Sequence, residues 1–144
     1  MSERTAYVAL REGLCLASGR LDRIENLVGT GYPDVNGCIN GNEFWIENKA
    51  PSEPKRKTTP LFGSNHRLSV EQRNWFLRQR RAGGKGYIYI ETESKRLLIS
   101  GRHADEINEA TLLELIAMST WQSDRPTKPK EWGALRAILA GGIE

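Results

Sequence analysis

The stretch whose reading decides the fold runs from residue 33 to residue 49: Pro33-Asp34-Val35-Asn36-Gly37-Cys38-Ile39-Asn40-Gly41-Asn42-Glu43-Phe44-Trp45-Ile46-Glu47-Asn48-Lys49. Asn-Gly is the strongest two-residue hairpin signal, because both residues accept the positive φ that a type I′ turn demands. It predicts strands over 34–39 and 42–49. With Asn40 and Gly41 as the loop, Ile39 faces Asn42 and Asp34 falls directly opposite Glu47. Opposed side chains share a face, with Cβ atoms ~4.5–5.5 Å apart. Alternation puts Lys49 on that same face and Val35, Ile39, Phe44 and Ile46 on the other. One face of the hairpin is thus core, and the other gathers Asp34, Glu47 and Lys49.

Two carboxylates so placed repel each other unless a cation lies between them or one keeps its proton. Carboxylate oxygens are hard ligands suited to Mg²⁺. Mg²⁺ polarises a scissile phosphate and lowers the pKa of a bound water. A neighbouring ammonium stabilises the charge that develops, or orients the attacking water. Asp34, Glu47 and Lys49 are therefore what metal-assisted phosphodiester hydrolysis requires. The rival reading is a surface strand pair with an Asp at a turn and a diagonal Glu–Lys pair.

Working outward, residues 3–17 read as a helix capped by Ser2, with Leu10, Leu14 and Ala17 at helical spacing and Gly19 as its stop. Residues 22–28 read as a strand. Residues 50–67, with Pro51, Pro54, Pro60 and a Lys-Arg-Lys run, read as a mobile loop. A second helix spans 69–82 and stops at Gly83-Gly84. Residues 86–91 and 96–100 are strands, 104–118 a third helix, 124–130 a loop and 131–140 a short last helix closed by glycines. The order αβββαβ predicts a mixed α/β domain with a central sheet.

The chain has 144 residues, 38% of them apolar and 27% charged. That suits one domain with its own core and excludes wholesale disorder. No apolar run is long enough for a membrane span, and no secretory h-region opens the chain. Two cysteines and two histidines make neither a disulfide framework nor zinc-finger spacing. The expectation is a reduced, soluble, cytoplasmic protein. The net charge of +3 hides an uneven distribution. Residues 1–54 carry five basic and eight acidic groups, net −3; residues 55–102 carry twelve and three, net +9; residues 103–144 carry four and seven, net −3. Trp75 and Phe76 lie within the basic middle. Clustered Lys and Arg neutralise phosphates and bind nucleic acid in a salt-dependent way; the alternative is a solvated basic helix face.

Pro33-Asp34 followed by Glu47-Asn48-Lys49 resembles the PD-(D/E)xK nuclease motif. Arg23-Ile24-Glu25-Asn26, Gly29-Thr30-Gly31-Tyr32-Pro33-Asp34-Val35, Glu43-Phe44-Trp45-Ile46-Glu47-Asn48-Lys49 and Leu68-Ser69-Val70-Glu71-Gln72 resemble small phage and bacterial nucleases of the VRR-NUC type, over roughly residues 3–100. The resemblance implies a restriction-endonuclease-like fold: a nuclease core over 3–102 and a helical C-terminal extension over 103–144, together one domain. It implies that Gly31 shapes the loop before Asp34. It implies that Gln72 supports the site, although Ser69 and Gln72 also spell a capping box. It further implies that an acidic residue of the first helix joins the metal; Glu3 fits best and Glu12 less well, and Glu3 could equally serve the helix dipole. The position between Glu47 and Lys49 is commonly apolar in that family; here it is Asn48, whose side chain would face the core. Glu53-Pro54-Lys55 also fits the E-x-K pattern but lies in a loop and reads as a decoy. Glu25 and Asn26 read as structural. Trp121 and Trp132 read as packing anchors rather than base-stacking platforms. Cys38 shares the site face, but a lone thiol is no Mg²⁺ ligand.

The function this predicts is a Mg²⁺-dependent DNA endonuclease, with Mn²⁺ as a substitute. Asp34, Glu47, the Asn48 carbonyl and Glu3 would hold the metal, and Lys49 and Gln72 would complete the catalytic set. Lys55, Arg56, Lys57, Arg67, Arg73 and Arg80 would grip backbone phosphates; Arg73 and Arg80 share one helical face, which could equally be only solvated. The resemblance implies a 5′-phosphate product, branched or flap DNA as substrate, and a cytoplasmic setting in a bacterium or a phage-infected host. A Holliday-junction-type activity implies a homodimer. The alternatives are a catalytically silent nucleic-acid-binding module on the same fold, and a structural or regulatory protein sharing only that fold.

Overall fold

The computed structural model describes residues 2–24 and 31–141. Helix α1 (Glu3–Leu14) leads into strands β1 (Arg20–Arg23), β2 (Val35–Ile39) and β3 (Asn42–Lys49). Helix α2 (Val70–Arg81) crosses to β4 (Gly86–Glu91), which turns back into β5 (Lys95–Ser100). Two short 3₁₀ turns precede α3 (Leu112–Met118), β6 (Trp121–Asp124) and α4 (Pro129–Gly141). The sheet order is β1-β2-β3-β4-β5-β6, and only β3 and β4 run parallel. That single parallel pair follows from α2, since parallel neighbours need a long crossover.

The hairpin has the register expected of an Asn-Gly turn. Val35 pairs with Ile46 and Ile39 with Asn42, and Asn40 and Gly41 hold φ of 52° and 80°. A slip of one residue would have sent every side chain to the wrong face. Val35, Ile39, Phe44 and Ile46 enter a core shared with Ala6, Tyr7, Leu10 and Leu14 of α1 and Leu135 and Leu139 of α4. The opposite face carries a second core: Ile88, Ile90, Leu97 and Ile99 meet Trp75 and Phe76 of α2 and Leu115 of α3. Both faces of the sheet are therefore covered, and the Asp34–Glu47–Lys49 face is not an open surface as the hairpin alone suggested.

Several boundaries differ from the sequence expectation, each for a physical reason. Helix α1 ends at Leu14, not at 17, because Cys15 adopts the left-handed conformation and its N–H bonds back to the Arg11 carbonyl. The expected strand over 22–28 is the shorter β1 in a more N-terminal position, and residues 25–28 lie outside those described. The expected helix over 104–118 is broken: Ala110 is extended, and Thr111 and Glu114 form a new capping box that starts α3. Strand β6 was not anticipated. Its four residues alternate inward and outward, but only pairing with β5 makes them a strand. The segment 50–67, expected to be mobile, is tied to the body. Leu61 and Phe62 are buried, the Leu61 N–H donates to Ala110, and the Glu53 carboxylate accepts from the Thr92 and Ser94 hydroxyls. Trp121 and Trp132 stack at 5.8 Å, with Trp121 also donating to the Glu131 carbonyl, so they are packing anchors. No described helix is long and apolar enough to cross a membrane.

Candidate active site

Three elements converge at one end of the hairpin. Glu3 opens α1, Asp34 lies just before β2, and Glu47 is on β3; one carboxylate oxygen from each lies within 4.8 Å of the others. Glu12 is not in this group; nine residues further along the helix, it stands ~13.5 Å away along the axis. Glu47 is buried at 5% exposure, and Lys49 at 6%. The Lys49 Nζ is 3.7 Å from Glu47 Oε2.

Other groups hold these side chains in place. The backbone N–H of Asn48 donates to Asp34 Oδ1 at 3.0 Å. The Gln72 amide donates through Nε2 to Glu47 Oε2 at 3.1 Å, while its Oε1 accepts from the Ser69 N–H at 2.9 Å. One side chain thus closes the capping box of α2 and contacts Glu47, so the two readings of Gln72 coexist. Gly31 itself lies against α2. Its φ is 88°, and a Cβ there would lie 2.6 Å from the Glu71 carbonyl oxygen. Only glycine combines that conformation with that approach.

The electrostatics follow from the burial. The Glu47 carboxyl is pushed up to about 8, chiefly by loss of solvent and then by the charges of Asp34 and Glu3, with Lys49 opposing. Asp34 is raised as well, by burial first; the Asn48 backbone N–H works against the rise, and its side-chain amide does so more weakly. That amide is fully buried and makes no hydrogen bond of good geometry. The group is an oxygen-donor cluster short of positive charge. Oxygens around an octahedral Mg²⁺ span up to ~4.2 Å, so the carboxylates present fit a small hard dication with little movement.

The remaining candidates are spread around this centre. Lys55, Arg56 and Lys57 are exposed on the segment between β3 and α2. Arg80 is exposed and Arg73 half-buried on α2, and neither forms an ion pair among the described residues. Arg67 is exposed but paired with Glu109 at 2.5 Å, which reduces the charge it offers. Glu53 of the second E-x-K match is spent on Thr92 and Ser94, away from the cluster. Glu25 and Asn26 lie outside the described residues. The Asn48 N–H on Asp34 has no counterpart in the sequence, since a backbone donor leaves no residue-type signal.

No protein-family model matches this sequence, and no curated protein is similar to it. Among solved structures, the fold is similar to that of Hjc, a Holliday junction resolvase from the archaeal hyperthermophile Archaeoglobus fulgidus. The TM-score is 0.52 at 16% identity, over 80% of this chain and 88% of that one. The two share a restriction-endonuclease-like α/β fold with helices flanking a mixed sheet.

Proposed function

We propose that the protein is a divalent-metal-dependent DNA endonuclease that prefers branched or flap DNA. The observation that carries this reading is the convergence of Glu3, Asp34 and Glu47 on one point, with the Lys49 ammonium beside them. Asp34 and Glu47 would hold the ion, joined by Glu3 and the backbone carbonyl of Asn48. A bound Mg²⁺, or Mn²⁺ in its place, supplies Lewis acidity at the scissile phosphate and lowers the pKa of a coordinated water. The chain's own residues do the rest. Lys49 stabilises charge on the phosphate or orients the attacking water. Gln72 and the Asn48 N–H fix the orientation of Glu47 and Asp34.

Lys55, Arg56, Lys57, Arg73 and Arg80 would contact backbone phosphates, with Arg67 a weaker partner because of Glu109. The preference for branched DNA, and a homodimer, draw support from the likeness to a solved resolvase and from the sequence resemblance. The VRR-NUC-type assignment, a phage or bacterial origin, a cytoplasmic setting and a single domain over 1–144 rest on that resemblance and on the sequence.

The test is a panel of labelled linear, flap, single-stranded and four-way-junction DNAs with Mg²⁺, Mn²⁺ or EDTA. Cleavage is expected with either metal and not with EDTA, and is lost in Asp34→Ala, Glu47→Ala and Lys49→Ala while binding survives. Cleavage that persists in Glu47→Ala sinks the assignment. Binding without cutting on every substrate points to the silent module.

A further inference from the structure

Beside the acidic cluster lies an aromatic one on the same segments. Tyr32 rests on Trp45 and Trp75, with ring centroids 6.4 and 6.2 Å away, and the two indoles meet at 5.6 Å. Each ring is one step from a residue of the candidate site. Tyr32 precedes Asp34 by two residues, Trp45 precedes Glu47 by two on the same strand face, and Trp75 follows Gln72 by about one helical turn. Two residues of strand span ~6.6–6.8 Å, so the two clusters adjoin.

The three rings are unequally covered. Trp75 is 7% exposed, whereas Tyr32 is 50% exposed, alone among the described aromatic residues in standing that far into solvent. Its position comes from Gly31, which seats the chain on α2, and from the two indoles behind it. A ring held from behind, half in water, next to an oxygen-donor cluster and within reach of a strongly basic segment has the chemistry of a stacking platform. Every nucleobase presents a π-face, and base–aromatic stacking tolerates any sequence. A base inside a duplex has both faces taken. A base at a flap or branch point has one free, and little stacking is lost on moving it.

We propose that Tyr32 stacks on an unpaired nucleobase adjacent to the scissile phosphate and thereby selects branched over continuous duplex DNA. This rests on the nuclease reading above and adds a recognition element to it. The rival is a ring that merely lids the edge of the core. Tyr32→Leu separates the two, since leucine keeps apolar contact with the indoles but offers no π-face, while Tyr32→Phe keeps the ring.

The experiment uses a flap DNA with 2-aminopurine placed in turn at each position around the branch. Fluorescence and affinity are read in EDTA, and cleavage is read in Mg²⁺. Wild type and Tyr32→Phe are expected to quench the unpaired position only. Tyr32→Leu should lose that quench and on the order of tenfold in flap affinity, with duplex affinity unchanged and a melting curve like that of wild type. Quenching and flap preference retained in Tyr32→Leu overturn the proposal. So does wild-type protein that leaves the fluorescence unchanged at every position, a readout that needs no variant to fold. Position-specific quenching without cleavage in Mg²⁺ supports stacking and sinks the nuclease reading; cleavage without quenching does the reverse. Absence of binding to any DNA overturns both.

Discussion

Replacing Glu47 by glutamine should make the metal-free protein more stable at neutral pH. Glutamine keeps the shape and an oxygen for the Gln72 amide, but cannot ionise. In the folded chain Glu47 holds its proton to about 8, against an ordinary value of 4.5. Its folded pKa is therefore raised, so its contribution to stability is intact below pH 4.5 and is lost as pH climbs toward 8. In that window the unfolded chain has already released the proton and the native state has not, at ~1.4 kcal/mol per pH unit. At pH 7 the loss amounts to about 3 kcal/mol, rising to about 5 kcal/mol above pH 8. The glutamine variant escapes it, which corresponds to roughly 10 °C in Tm at pH 7 for a domain of this size. The assay is urea or thermal denaturation of chelator-treated wild type and Glu47→Gln from pH 4.5 to 8.5, read as the difference between the two curves, which reports Glu47 together with its coupling to Asp34. Divalent cation should reverse the order. It must displace the Glu47 proton, so wild-type affinity should increase with pH up to about 8. Saturation at about a thousand times Kd adds ~4.1 kcal/mol to wild type, more than the deficit at pH 7, and much less to the variant. A difference curve that is flat across the window, or a variant less stable than wild type throughout it without metal, would refute the reasoning.

The dual role of Gln72 can be split. Gln72→Ala should cost about 1 kcal/mol through the lost half of the capping box and also lower cleavage. Ser69→Ala should cost a similar amount through the other half of the box but keep the Gln72 donor to Glu47 Oε2, and with it cleavage; urea titrations alongside a flap-cleavage assay separate the two. Gly31→Ala should destabilise by more than about 1 kcal/mol, because its φ of 88° and the Glu71 carbonyl both reject a Cβ. Removing Arg73 and Arg80 together should flatten the salt dependence of DNA binding by roughly 1.8 in log–log slope. Arg67→Ala should change it less, since Glu109 already pairs with that guanidinium.

Much of the site was legible because it rests on short-range rules. The Asn40-Gly41 turn fixes the register from Val35↔Ile46 to Ile39↔Asn42, and strand alternation extended one step beyond it puts Asp34 on the face of Glu47 and Lys49. The Ser69–Gln72 box is equally local. What failed to show was whatever depends on a distant partner. Four residues at 121–124 become a strand only because β5 offers its edge. The basic segment 50–67 looks unstructured until Glu53 meets Thr92 and Ser94 and Leu61 and Phe62 find the core. The sequence favours Glu3 over Glu12 without excluding either; the docking of α1 on the sheet brings the first to Asp34 and Glu47 and leaves the second outside the cluster.

The amino-acid sequence by itself determined the hairpin and its two faces, because turn chemistry and strand alternation act over neighbouring residues. Only the tertiary structure decided that this polar face is buried rather than open, since the covering helix and loop come from elsewhere in the chain. That burial, more than the neighbouring charges of Asp34 and Glu3, raises the Glu47 carboxyl from 4.5 to about 8. Loss of solvent around a charge is a property of the packed fold and leaves no mark on the order of residues.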